Sequence, residues 1–162
     1  MFCKANRRRK QFWGYKAKIE NELLPAIKEA FNHGTEVIVE QNIEGREVTC
    51  GVYERDEGIK ALPITEIISE NEYFDYDAKY CGKSKEITPA ELNNEITDKI
   101  KVLTKEIYTI LGMKGIARMD YIISKEDIPF LIEVNSIPGM SNESIVPKML
   151  KAHNLTLKEI LL

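Results

Sequence analysis

The sequence predicts an α+β domain, an antiparallel sheet of about five or six strands with helices packed on one side. Two observations carry that prediction. Short apolar segments of strand length follow one another across tight polar turns, the connection that antiparallel neighbours need. Between them lie longer stretches whose apolar residues recur three and four apart, the spacing of one helix face.

Composition narrows the class before any motif does. A chain of 162 residues can bury a sizeable core. With 43% hydrophobic and 30% charged residues it falls among ordinary folded proteins, not disordered ones. A net charge of -3 gives no global reason to bind nucleic acid. Cys3, Cys50 and Cys81 are scattered and lack paired metal spacing, which fits a reduced, cytoplasmic setting. No apolar run approaches the roughly 20 residues that span a bilayer. No signal-type apolar segment follows the basic N-terminal residues. Neither membrane nor nucleic acid is an expected partner.

The elements follow in order. Arg7, Arg8, Arg9 and Lys10 form a basic run, which reads as a solvated terminus because the remainder is acidic. Leu23, Ile27, Ala30 and Phe31 predict a helix from about Glu20, with Pro25 acceptable only in its first turn and Gly34 as the stop. Val37, Ile38 and Val39 predict a strand. Residues 46–53 and 59–68 predict two strands paired across the turn Arg55-Asp56-Glu57-Gly58. Periodicity vanishes between Ser69 and Pro89, and a loop of that length, dense in Tyr, Asp and Lys, reads as functional. Thr88-Pro89-Ala90-Glu91 predicts a capped helix start, continued by Ile96, Ile100, Leu103 and Ile107. A short helix is expected from Ser144 to about His153. A last one opens on the capping box of Thr156 and Glu159.

Residues 115–144 hold the chemistry. They read as two strands joined by a polar turn, followed by a loop built on Pro138 and Gly139. Strand side chains alternate faces, so Arg118 and Asp120 share one face, as do Glu133 and Asn135. Paired as a hairpin, the strands gather one arginine, two carboxylates and one carboxamide on one patch. Polar residues alternating on a strand often do no more than face water. Here Phe130, Leu131 and Ile132 precede them and predict a buried strand, where an ionised carboxylate needs a cation or an arginine. Oxygen donors suit magnesium, and an arginine beside them suits a phosphoryl group. Gly139 offers a bare backbone N–H, and Ser144 stands near a helix start, where anions are favoured.

Several motifs, in order, resemble the D-alanine–D-alanine ligases of the ATP-grasp superfamily. They are Arg118-Met119-Asp120, Glu133-Val134-Asn135 and Pro138-Gly139-Met140-Ser141-Asn142-Glu143-Ser144, with Phe74-Asp75-Tyr76-Asp77-Ala78-Lys79-Tyr80 upstream as the mobile loop. Glu40-Gln41-Asn42-Ile43-Glu44-Gly45-Arg46-Glu47 looks like the adenosine-binding strand and hinge.

The resemblance implies an ATP-grasp C-terminal domain over residues 45–162, a remnant of the small subdomain over 14–44, and an unmatched basic segment over 1–13. It implies ATP and two magnesium ions, with manganese as a substitute, and D-alanine as the amino-acid substrate. Glu40 and the Ile43 backbone would meet adenine, and Glu47 the ribose. Asp120, Glu133 and Asn135 would hold the metals. Lys79 and Arg118 would steady the phosphoryl group. Gly139 with Arg118 would line an oxyanion site, and Ser144 with the Ile145 N–H would take the acceptor carboxylate. Tyr80 matches the loop tyrosine of dipeptide-forming ligases. The product would serve peptidoglycan precursor synthesis.

The family's chains are longer than this one and carry a first-substrate domain that no part of this sequence resembles. The expectation is therefore that this chain alone does not turn over, and that a complementary N-terminal chain or a homodimer completes it. The alternative is a non-catalytic remnant with weak or no nucleotide binding.

Overall fold

The computed structural model describes residues 2–5, 14–17, 19–69 and 84–161. They fall in two compact units that meet in sequence between Ile43 and Glu44.

The first unit holds a three-stranded antiparallel sheet of β1 (Phe2–Ala5), β2 (Gly14–Lys16) and β3 (Val37–Glu40), in the order β2-β1-β3. Helix α1 (Glu20–Phe31) lies against all three strands. Two expectations are corrected here. Phe2–Ala5 is the central strand and pairs with both neighbours, which corrects a wholly solvated N-terminus, while the basic run from Arg7 to Lys10 lies outside the described residues. Pro25 sits in the interior of α1, beyond its first turn.

The second unit is built on six antiparallel strands. They are β4 (Gly45–Arg55), β5 (Gly58–Ala61), β6 (Thr65–Ser69), β7 (Ser84–Ile87), β8 (Ile116–Ser124) and β9 (Pro129–Asn135). The order is β7-β6-β4-β8-β9, and β5 pairs with the end of β4. The strand expected over 59–68 is thus two strands, β5 and β6, broken at residues 62–64, and both pair with β4.

Alternation along the long central strands gives the sheet two different faces. Val48, Cys50 and Val52 of β4 stand beside Tyr121, Met119 and Ala117 of β8. Helix α2 (Asn94–Ile110) covers this face with Ile96, Ile100 and Tyr108, forming the larger core. Burial there pushes the Tyr121 hydroxyl up to about 12 and the Cys50 thiol up to about 11. The Tyr121 hydroxyl is satisfied by Thr104 Oγ1 at 2.8 Å.

The opposite face carries Tyr53 and Ile116, which pack on Val146, Met149 and Leu150 of helix α3 (Ile145–Ala152). Helix α4 (Leu157–Leu161) follows. Its capping box forms as expected, with the Thr156 N–H donating to Glu159 Oε2 at 2.7 Å. Gly51 lets α3 approach this face, for a Cβ there would lie 3.2 Å from Met149 Sδ.

Two further readings change. Helix α2 begins at Asn94, not at Pro89, because Asn93 is its cap and accepts from the Ile96 N–H at 2.8 Å. The Thr88 hydroxyl is engaged instead with Thr65 Oγ1 at 2.6 Å, and the Ala90 N–H with the Ile64 carbonyl. The strand β9 is not buried: Phe130, Leu131 and Ile132 are 40%, 41% and 47% exposed. Among the described residues it pairs with β8 alone and forms the sheet edge, so apolar composition does not by itself imply cover.

Candidate functional site

The expected hairpin forms, β8 pairing antiparallel with β9. Arg118 stands opposite Asn135, and Asp120 opposite Glu133. A bulge follows, since Tyr121 pairs with Leu131 and Ile132 is the extra residue. Directly opposed residues share a face, so all four side chains project from the same side of the sheet.

Asp120 is the hub. Its Oδ1 accepts from Arg118 Nε at 2.9 Å and from the Thr49 hydroxyl at 2.6 Å. Its Oδ2 accepts from Arg118 Nη2 at 2.8 Å and from Asn135 Nδ2 at 3.0 Å. Four donors fill the acceptor capacity of one carboxylate. Glu133, across from Asp120, is exposed.

A cation can be tested against this donor set. Among the described residues, no three His, Cys, Asp or Glu side chains are grouped to hold a metal. The hairpin offers two carboxylates and the carboxamide oxygen that Asn135 keeps after its NH2 turns to Asp120. Magnesium commonly rests on one or two carboxylates and completes its shell with phosphate oxygens and water. The residues fit such an ion, provided Asp120 exchanges at least one of its four hydrogen bonds. The guanidinium is the donor with most freedom to leave, and a phosphoryl group is a natural destination for it.

Glu47 lies on the same sheet face, two residues before Thr49 on β4, and is half-buried. Gly51 pairs with Arg118, so α3 covers the patch next to the arginine.

The N-terminus of α3 gathers a second group. Ser144 is its cap residue and exchanges a hydrogen bond with Ser141 Oγ at 2.8 Å. A Cβ on Gly139 would lie 2.8 Å from Ser144 Oγ, so only glycine leaves that hydroxyl undisturbed. Ile145 opens the helix, in the first turn, whose N–H groups have no partner within the helix.

Two predicted residues belong to the first unit: Glu40 closes β3, and Ile43 follows it. Lys79 and Tyr80 lie outside the described residues. Thr49 is the residue that sequence reasoning missed. Its only signal is alternation, which puts it on the face of Glu47.

A six-stranded antiparallel sheet carrying this hairpin, with helices packed against it, is the C-terminal domain of the ATP-grasp class. The family model for the D-ala D-ala ligase C-terminus matches residues 14–162, and the chain belongs to that family. It is 48% identical over 140 residues to a D-alanine–D-alanine ligase of Porphyromonas gingivalis, covering 86% of this chain and 42% of the relative. The ligase of Parabacteroides distasonis is 43% identical over 161 residues, covering 99% of this chain and 49% of the relative. Among solved structures, D-alanyl-alanine synthetase A from Vibrio cholerae superposes with a TM-score of 0.80 at 28% identity, covering 99% of this chain and 49% of that one. The Bacillus anthracis D-alanine–D-alanine ligase complexed with ATP gives 0.72 at 31% identity, over 91% and 47%. This chain thus spans less than half the length of these relatives.

Proposed function

We propose that this chain supplies the ATP, magnesium and acceptor-substrate part of a D-alanine–D-alanine ligase. The observation that carries the reading is the convergence of Arg118, Asp120, Glu133 and Asn135 on one sheet face. A carboxylate is a poor acylating agent, and phosphorylation by ATP makes an acyl phosphate that an amine can attack. Bound magnesium supplies charge neutralisation at the phosphates.

The chain's own residues do the rest. Asp120, Glu133 and Asn135 hold two metal ions. Arg118, released from Asp120, turns to the transferring group, and Lys79 assists it. The Gly139 N–H and Arg118 face the oxyanion of the tetrahedral intermediate, a role in which one donor is worth roughly 3 kcal/mol. Ser144 and the Ile145 N–H take the carboxylate of the acceptor D-alanine, and Tyr80 is the counterpart of the tyrosine of dipeptide-forming ligases. Glu40 and the Ile43 backbone meet adenine, and Glu47 the ribose. The setting is the cytoplasm, the product a peptidoglycan precursor. The first-substrate site belongs to the part of the ligase that these 162 residues do not match, within the length of the relatives they leave uncovered.

Calorimetric titration with ATP tests this. Magnesium-dependent heat is expected for the wild type and lost in Glu133→Gln; equal heats from both proteins would overturn the reading. With D-alanine added, the chain alone is expected to release no phosphate.

A further inference from the structure

Thr49 reaches Asp120 from outside the hairpin. It sits on the central strand β4, opposite Asp120 in register, and is completely buried. Its hydroxyl lies 2.6 Å from Asp120 Oδ1. An ionised carboxylate only accepts, so the single hydroxyl proton goes to Asp120. The competing acceptor, the Met119 carbonyl, stands at 3.3 Å and draws it less. A β-branched residue on a strand has few rotamers, and with no exposure it has no water to exchange for this partner.

The other three donors are freer. Two belong to Arg118, whose side chain is 22% exposed at the end of a long stem, and one to the Asn135 carboxamide, on the edge strand. We infer that Thr49 is a positioning residue for the cation site. It pins Oδ1 inward, so that Oδ2 is the oxygen presented to the ion once Arg118 leaves. This rests on the reading of Asp120 as a metal ligand. Carboxylates that ligate metals depend on such outer hydrogen bonds, and losing one weakens metal affinity roughly 10- to 100-fold.

The test uses the whole 162-residue chain, manganese chloride and a non-hydrolysable ATP analogue, with free Mn2+ read by its electron paramagnetic resonance signal. Thr49→Val removes the hydroxyl at constant volume, and Thr49→Ala is a second hydroxyl-free variant should valine prevent folding. Circular dichroism reports the fold of each. Affinity for Mn2+ is expected to fall roughly 10- to 100-fold in the folded hydroxyl-free variant. Thr49→Ser is expected to return it to within about threefold of wild type, a rescue that mere packing would not give. A folded hydroxyl-free variant with wild-type affinity, or a serine variant as weak as alanine, overturns the proposal while Asp120→Asn still loses the ion. If Asp120→Asn retains wild-type affinity, or the wild type takes up no Mn2+, the metal-ligand reading itself fails.

Discussion

Replacing Asp120 with asparagine should destabilise the free protein, whereas replacing Glu133 with glutamine should not. Asp120 and Arg118 have side chains only 16% and 22% exposed, and their bidentate pair spans both carboxylate oxygens. An asparagine can keep one oxygen. Whichever way its amide turns, the NH2 then points at an arginine N–H, because Arg118 donates to both Oδ1 and Oδ2. A hydrogen bond to a charged group is worth roughly 1.5 to 3 kcal/mol, and water at the rim recovers part of the loss. A cost of about 2 kcal/mol is expected. With a urea dependence of about 2 kcal/mol/M, the midpoint should fall by about 1 M. Glu133 is exposed, so Glu133→Gln should stay within about 0.5 kcal/mol of wild type. Urea unfolding followed by circular dichroism, without added cations, measures both. An unchanged midpoint for Asp120→Asn, or a larger drop for Glu133→Gln, would refute the account of Asp120 as the bonded hub.

Other outcomes follow from the same packing and hydrogen bonding. Gly51→Ala places a methyl 2.8 Å from Leu62 Cδ1 in a buried strand, and overpacking of that kind should cost about 1 to 3 kcal/mol in urea unfolding. Gly139→Ala, at an exposed position, should leave stability unchanged but shift the nuclear magnetic resonances of Ser141 and Ser144, since its methyl crowds Ser144 Oγ. The Arg46 guanidinium holds the Glu66 carboxyl below its usual value of 4.5. A carboxyl depressed by folding adds stability above its unfolded value and loses it as pH falls through the folded one. Glu66→Gln should therefore cost about 1 kcal/mol at pH 7, discounted for the exposed Arg46, and the gap from wild type should close below pH 4.5. Cys50 is buried with its thiol pushed up to about 11, so iodoacetamide at pH 8 should label it only after urea is added, as read by mass spectrometry.

The hairpin was legible in the sequence because period-two alternation and a short turn suggest two paired strands and fix which residues share a face within each. Alternation made Arg118 with Asp120 and Glu133 with Asn135 legible as two same-face pairs, but bringing the pairs to one face depends on the bulge at Ile132, which shifts the register by one and left no mark in the sequence. Thr49 was not legible, since its partner lies 71 residues away and becomes a neighbour only through the β4–β8 pairing. The start of α2 was misplaced because Thr88 satisfies every local rule for a cap yet bonds across to Thr65, a tertiary contact that outweighs the local one. The exposure of β9 escaped notice for a related reason: apolar residues say what a strand could bury, and only the sheet order shows which strand is the edge.

The central claim is about place, and paramagnetic broadening locates a bound cation directly. With the ATP analogue present and Mn2+ added in small amounts, the amide resonances of Arg118 to Asp120 and Glu133 to Asn135 should broaden first and together. Broadening centred elsewhere, for example on the exposed acidic turn at Asp56 and Glu57, with the hairpin resonances left sharp, would contradict it.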